Sequence, residues 1–188
     1  TSTLKKGNNT FYYPSVSGSI IYTELLKSKK PAWWDYGKLR LSYGVVGNSP
    51  EIYRANMAYS QGTLTRSSTY TYNYVPTDIG NENIKPERKH EYELGLENKW
   101  LNNRVGMELS YYYNDIKDQI LTTTSAFSMG ARSMLMNVGE LTNSGLEISL
   151  YGTPILNKDW RFDLNVNAAF NKNKVKKLAD GLDVLSHM

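Results

Sequence analysis

The feature that most constrains this chain is a pair of long segments of alternating polarity, joined by a very short turn, between Pro86 and Asp118. In the first segment Tyr92, Leu94 and Leu96 alternate with glutamates and a glycine, and the second segment repeats the pattern. Side chains on a β-strand point to opposite faces with a period of two, so one face is apolar and the other polar. Each segment reaches the ~9–11 residues that a tilted strand needs to cross a bilayer. The pattern is therefore typical of a transmembrane barrel, in which apolar residues face lipid and polar residues face a wet lumen.

The composition agrees with a membrane β-protein and excludes several other classes. The 188 residues suffice for one domain, and the absence of cysteine excludes a disulfide framework or a thiolate metal site. Fifteen tyrosines against four phenylalanines favour surfaces that are apolar on one side and wet on the other. The net charge of +4 is mild, and its lysine clusters are typical of solvated loops, which argues against nucleic-acid binding. The first ten residues contain no apolar segment of the signal-peptide kind.

The organisation along the chain predicts an all-β fold, an antiparallel up-and-down transmembrane β-barrel segment with about six strands of a larger barrel. The strands are expected at residues 11–22, 39–46, 86–100, 105–118, 137–151 and 160–171. The connections 48–85 and 120–136 are long, whereas those at 101–104 and 153–159 are short, as in outer-membrane barrels with short periplasmic turns. The connector 23–38, with one helical turn around Glu24–Leu26, is longer than this alternation predicts.

The alternation also assigns a facing to individual side chains. We expect one set to face lipid: Leu94, Leu96, Leu109, Leu164 and Val166. We expect a second set to face the lumen: Arg40, Glu93, Glu97, Glu108 and Glu147. Trp100 and Trp160 lie beside the two short turns, which predicts a periplasmic aromatic girdle; the alternative is that each packs in a soluble core.

No pattern in the chain indicates catalysis or a bound cofactor. His90 and His187 are far apart and lack metal-ligand spacing. The glutamates of the central hairpin fall on its polar face, so alternation accounts for them without a general acid/base pair. The cluster of Asp and Asn at 78–83 does not match an EF-hand and favours an ordinary polar loop over a calcium site. We therefore predict that the protein is not an enzyme and holds neither a metal nor a cofactor.

Six segments together resemble a known family. They are FYYPSVSGSI (11–20), LRLSYGVVGN (39–48), IGNENIKPERKHEYELGLE (79–97), NNRVGMELSYYYNDIKDQIL (102–121), NVGELTNSGLEISL (137–150) and FNKNKVKKL (170–178). In this order they resemble SusC/RagA-type TonB-linked outer-membrane transporters. Each motif alone is weak, whereas six in order are strong.

The resemblance implies a barrel of about 22 strands with a plugged lumen, located in the cell outer membrane. It implies import of oligosaccharides or peptides, a SusD-like surface lipoprotein as lid, and TonB acting through an N-terminal part that this chain lacks. Residues 1–188 would then be a partial TonB-dependent receptor β-barrel domain without the plug and the N-terminal barrel strands. Because open sheet edges are not tolerated in lipid, we expect the chain to be a fragment or one piece of a larger assembly.

Two functions remain open at this point. In the first, the strands form the importer wall in contact with outer-membrane lipid, and the loops 48–85 and 120–136 face outward. Tyr70, Tyr72 and Tyr74 are then candidates for sugar stacking or lid contact; alternatively they extend a strand above the membrane or form an aromatic belt. In the second, the chain is a soluble or surface-exposed β-sandwich that acts as a glycan-binding or adhesin module. The strands of soluble proteins are usually ~5–6 residues long, which favours the first function.

Overall fold

The structure, a computed structural model, describes residues 4, 9–26, 29–52, 59–124, 128, 130 and 132–177. These residues form mostly antiparallel strands and one short helix, and β5 and β9 are the parallel pair among the described strands. Within these ranges no helix has the length and apolarity of a membrane span. The elements are β1 (Ser15–Ile21), α1 (Tyr22–Leu26), β2 (Trp34–Asn48), β3 (Ser60–Thr65), β4 (Thr69–Tyr74), β5 (Asp78–Ile79), β6 (Glu87–Trp100), β7 (Val105–Lys117), β8 (Ile120–Thr124), β9 (Ser133–Asn137), β10 (Glu140–Leu156) and β11 (Arg161–Lys177).

Six strands form one sheet in the order β1-β2-β6-β7-β10-β11. Every neighbouring pair is antiparallel, so the chain runs up and down across the sheet. Four of these strands, β2, β6, β10 and β11, have 14 to 17 residues, which is well above the usual strand length in soluble domains. We call these six strands the wall.

The tight turn between β6 and β7 has three consecutive residues in the left-handed conformation, and two of them are asparagines. Leu101, Asn102 and Asn103 have positive φ values of 58°, 58° and 59°, a conformation that asparagine adopts more readily than most residues. The Asn103 amide donates to the carboxylate of Asp35, and the Arg104 guanidinium donates to the carbonyl oxygen of Thr153 at 3.0 Å. These bonds join the turn to its neighbours at the same end of the sheet.

Two excursions leave the wall at its opposite end. The first, between β2 and β6, contains the two-stranded ribbon β3–β4 and the short β5. The second, between β7 and β10, contains β8 and β9, and β5 joins them in a three-stranded sheet. The buried side chain of Ile84 packs with Leu4, and the half-buried Phe11, Ile120 and Leu135 surround them. The excursions and the segment before β1 therefore share a small core that is separate from the wall.

The structure confirms the six-stranded segment and the helical turn at α1 but corrects several boundaries. The first strand begins at Ser15 instead of residue 11, and β2 begins at Trp34, inside the segment expected as a connector. The long connections expected at 48–85 and 120–136 contain five short strands. These short strands pair with one another, and β5 pairs with β9, which is far away in sequence. Such long-range pairing cannot be recognised from the local alternation of polarity.

Candidate functional site

The register of the wall collects its apolar positions on one face. Paired residues of neighbouring strands share a face, and Leu39, Leu96, Leu109, Ile148 and Ala168 form one such row. The five residues predicted to face lipid all lie on this face, in four adjacent rows: Leu94, Leu96, Leu109, Leu164 and Val166. We call it the apolar face.

Much of the apolar face is open. Leu94, Leu164 and Phe170 expose 44%, 51% and 62% of their surface. An apolar surface that extends over six strands is far larger than the scattered exposed residues of a soluble protein. This face therefore requires an apolar environment.

Aromatic side chains bound the apolar face at both ends. Toward the excursions, Tyr43, Tyr92 and Tyr113 are register partners whose ring centroids are 5.0 Å and 6.3 Å apart. We call these three residues the tyrosine row. At the opposite end Trp34 and Trp100 pair across β2 and β6. Trp160 precedes β11 at this same end and is 73% exposed.

The spacing of the aromatic rows matches a membrane. Tyr92 and Trp100 are eight residues apart on β6, which corresponds to about 27 Å along a strand. With a tilt of about 40° this gives a height of roughly 21 Å, close to the ~25 Å apolar band of outer-membrane barrels. Leu96 lies at the middle of this interval, so the row of Leu96 and Leu109 marks the centre of the band.

One polar side chain, Asn98, interrupts the apolar face near the tryptophan end. Its Oδ1 accepts hydrogen bonds from the Tyr22 hydroxyl and, at 3.0 Å, from Trp34 Nε1. Tyr22 reaches this position because its ring packs on Gly37, where a Cβ atom would overlap it. Asn98 is only 6% exposed, so the amide is covered and its oxygen satisfied.

The opposite face of the wall is polar. The register places all five residues predicted to face the lumen there: Arg40, Glu93, Glu97, Glu108 and Glu147. Arg40 Nη2 contacts Glu108 Oε1 at 2.6 Å, crossing the whole width of β6 to reach it. The crossing depends on Gly95, because a Cβ atom there would lie 2.8 Å from Arg40 Nε. The alternating pattern does not single out Gly95, although a glycine in a strand interior is itself a sign of close approach.

The remaining carboxylates of the polar face differ in their partners. Glu97 is paired with Lys99 at 3.1 Å, and the neighbouring Glu91 is paired with Lys89. Within the described part of the chain, Glu93 and Glu147 form no ion pair. Both line an open groove of about 950 Å³ on this face. The groove is acidic.

Tyr70, Tyr72 and Tyr74 lie on one face of the β3–β4 ribbon and are 63%, 52% and 46% exposed. The rings of Tyr72 and Tyr74 are 5.9 Å apart, and Tyr72 also covers Gly62 on the paired strand. The other face of β4 carries Thr69, Thr71 and Asn73. The ribbon therefore presents a continuous aromatic surface backed by a polar one.

A single asparagine joins the two excursions. Asn137 Nδ2 donates to the carbonyl oxygens of Lys85 at 2.7 Å and Asp118 at 2.8 Å, and its Oδ1 accepts from the Lys85 amide at 2.8 Å. We call this arrangement the asparagine clasp. The sequence indicates Asn137 only as the start of a motif, because nothing local in NVGE reveals a partner 52 residues away.

The structure gathers no metal site within the residues that it describes. In the loop considered for calcium, Asp78 accepts a hydrogen bond from Ser133, and Asn81 donates to the carbonyl oxygen of Leu135 at 3.0 Å. Both side chains thus have structural partners.

An antiparallel wall with one apolar face, aromatic rows at both margins and a polar reverse face defines a segment of an outer-membrane β-barrel. Comparison with known proteins identifies the family. A family model described as TonB dependent receptor-like, beta-barrel, matches residues 2–184, and the chain belongs to this family.

Individual relatives agree with this assignment and confirm the SusC/RagA resemblance. The chain is 31% identical over 189 residues to TonB-dependent receptor P3 of Formosa agariphila, covering 98% of this chain and 18% of the relative. It is 31% identical over 157 residues to TonB-dependent receptor SusC of Bacteroides thetaiotaomicron, covering 78% of this chain and 15% of SusC. The chain thus spans less than a fifth of these relatives' length.

Solved structures give the same result for the fold. The RagAB peptide importer in the closed-closed state superposes with a TM-score of 0.83 at 27% identity, covering 97% of this chain and 20% of that one. The six-stranded sheet is therefore a portion of a SusC/RagA-like receptor barrel in the outer membrane, and its open edges belong to the portion and not to the barrel.

Proposed function

We propose that residues 1–188 form part of the wall and extracellular loops of a TonB-dependent importer of oligosaccharides or peptides. The apolar face contacts lipid, the polar face lines the lumen, and the excursions stand on the extracellular side. The observation that carries this proposal is the apolar face bounded by the tyrosine row and by Trp34 and Trp100 at membrane spacing. Trp100 and Trp160 belong to the periplasmic girdle in this orientation.

The proposal also assigns roles on the extracellular side. The aromatic surface of the β3–β4 ribbon suits stacking on sugar rings or on peptide side chains, or contact with a SusD-like lipoprotein lid. The acidic groove formed by Glu93 and Glu147 sets the polarity of the lumen wall. TonB contacts a part of the full receptor outside this chain, and its action on the plug gives the energy for import.

Single-cysteine labelling of the full-length receptor in cells tests this topology. The chain contains no native cysteine, so Thr71→Cys on the ribbon and Lys158→Cys in the β10–β11 turn introduce unique probes into this segment. A membrane-impermeant maleimide should label Thr71→Cys in intact cells and Lys158→Cys only after the outer membrane is opened. Labelling of both positions in intact cells would favour the surface module, and labelling of Lys158→Cys alone would reverse the orientation.

A further inference from the structure

The apolar face of the wall ends at the tyrosine row. On the side that is apolar below this row, the rows nearest the excursions carry charged side chains. At similar heights the reverse side carries Val46, Ile116 and Leu141 together with the ion pair of Lys89 and Glu91. Five cations lie on the same side as the apolar face, at or beyond the tyrosine row. We call them the basic belt: Arg88, Lys117, Lys172, Lys174 and Lys176. Side chains thus continue to alternate between the two sides of the sheet, but on this side they change from apolar to charged at the tyrosine row.

The basic belt is only partly neutralised. Asp115 lies among the cations and contacts Lys176 Nζ at 3.0 Å and Lys117 Nζ at 3.8 Å. In the portion of the chain that the structure describes, Arg88, Lys172 and Lys174 have no anionic partner, and all three are exposed. The belt therefore retains a positive surface directed away from the lumen.

The register fixes the height of these cations. Lys172 lies in the tyrosine row through its pairing with Ser144, and Lys174 lies one row further, paired with Thr142. Arg88 and Lys117 are register partners in the row after that. Rows on one face are about 7 Å apart along a strand, or roughly 5 Å in height at a tilt of about 40°. The belt thus begins at the tyrosine row and ends about 10 Å beyond it, at the depth of lipid headgroups.

We propose that the basic belt binds phosphate-bearing lipid headgroups of the leaflet that surrounds this end of the wall. The inference rests on the proposed function, because it requires the apolar face to contact lipid. Because the basic belt is positively charged, we expect its ligand to be an anion. Because the belt lies directly above the apolar band, we expect this anion to belong to a lipid and not to a solute of the lumen. The Arg88 guanidinium suits bidentate contact with phosphate, and the lysines act as point charges.

Retention of a defined lipid by the purified full-length receptor tests the proposal. The receptor is placed in phosphatidylcholine nanodiscs, diphosphorylated lipid A is added, and bound lipid is counted by native mass spectrometry. We expect Arg88→Gln combined with Lys172→Gln and Lys174→Gln to weaken retention about a hundredfold, since each of the three cations near an anionic lipid contributes about fivefold in affinity. Equal retention by this variant and the wild type would overturn the proposal.

A matched variant removes the same number and kind of charges elsewhere. Arg66→Gln combined with Lys38→Gln and Lys158→Gln changes the ribbon turn, the polar face and a periplasmic turn, and retention should stay at the wild-type level. If this control lost as much lipid retention as the belt variant, the effect would come from net charge alone, and a specific lipid site at the basic belt would be overturned.

Two further probes identify the source of the phosphate. The wild-type receptor should retain dephosphorylated lipid A about as weakly as the belt variant retains diphosphorylated lipid A. Equal retention of both lipids by the wild type would overturn a phosphate contact. Inorganic phosphate at millimolar concentration should leave lipid A bound, and full displacement would assign the site to free phosphate instead. Cysteine labelling at Thr71 and Lys158 reports on the barrel topology independently, so its failure is distinguishable from failure of the belt.

Discussion

The wall and the excursions are stabilised in different ways. The buried hydrophobic side chains of the described residues are Leu4, Ile84 and Val138, and none of them belongs to a strand of the wall. The excursions hold together through this small core and through side-chain hydrogen bonds to the backbone, as in the asparagine clasp. The wall consists of long backbone ladders and two faces of opposite polarity, so the surrounding lipid must complete it. Substitutions should therefore affect the two regions through different physics.

The largest expected effect is a charge at the centre of the apolar face. Leu109→Lys should destabilise the full-length receptor in lipid by about 2–4 kcal/mol, because it places an ammonium at the bilayer midplane. Urea unfolding in vesicles, with the mobility shift of the folded barrel in gel electrophoresis as readout, measures this. Leu164 pairs with Gly152 in the row of Trp100, so Leu164→Lys should cost only about 0–1 kcal/mol.

The adjacent residue is the matched control for Leu109→Lys. Ser110→Lys introduces the same charge one position along β7, on the polar face beside Gly95 and Glu147. It should leave stability nearly unchanged, since lumen-facing positions accept charge. If Ser110→Lys were as harmful as Leu109→Lys, the two faces would not differ in environment and the contrast between wall and excursions would fail.

An intermediate effect is expected at the asparagine clasp. Asn137→Ala removes two donated bonds and one accepted bond at a half-buried position, which should cost about 2 kcal/mol in the local stability of the excursions. Limited proteolysis of the folded receptor should then cut faster within residues 118–139, while the unfolding midpoint of the barrel stays the same. Asn48→Ala is the control, because Asn48 makes one long 3.4 Å bond to Glu87. A lowered barrel midpoint would show that the clasp stabilises the wall as well.

The sequence predicted the wall better than the excursions for a physical reason. Alternation along a strand assigns a face to Leu96 or Glu97 without knowledge of any partner, and the structure places the two predicted sets of five residues on opposite faces of the sheet. The tyrosine row comes from three strands, and only the register reveals that Tyr43, Tyr92 and Tyr113 are neighbours. The asparagine clasp and the contact of Arg40 over Gly95 likewise depend on pairing between distant segments.

The smallest effect on stability is expected at the ribbon, where function should change instead. Replacing Tyr70, Tyr72 and Tyr74 together by alanine should lower the free energy of unfolding by only about 0.5 kcal/mol, as is usual for exposed side chains. Under the proposed function, uptake of a labelled oligosaccharide or peptide by cells should fall by about fivefold, because the proposed stacking contacts of ~0.5–1.5 kcal/mol would be lost. Replacing Thr69, Thr71 and Asn73 by alanine alters the other face of the same strand and should leave uptake unchanged. Normal uptake in the tyrosine variant would exclude the ribbon from the proposed contact surface. Equal losses in both variants would mean that uptake requires the folded ribbon and not its aromatic face.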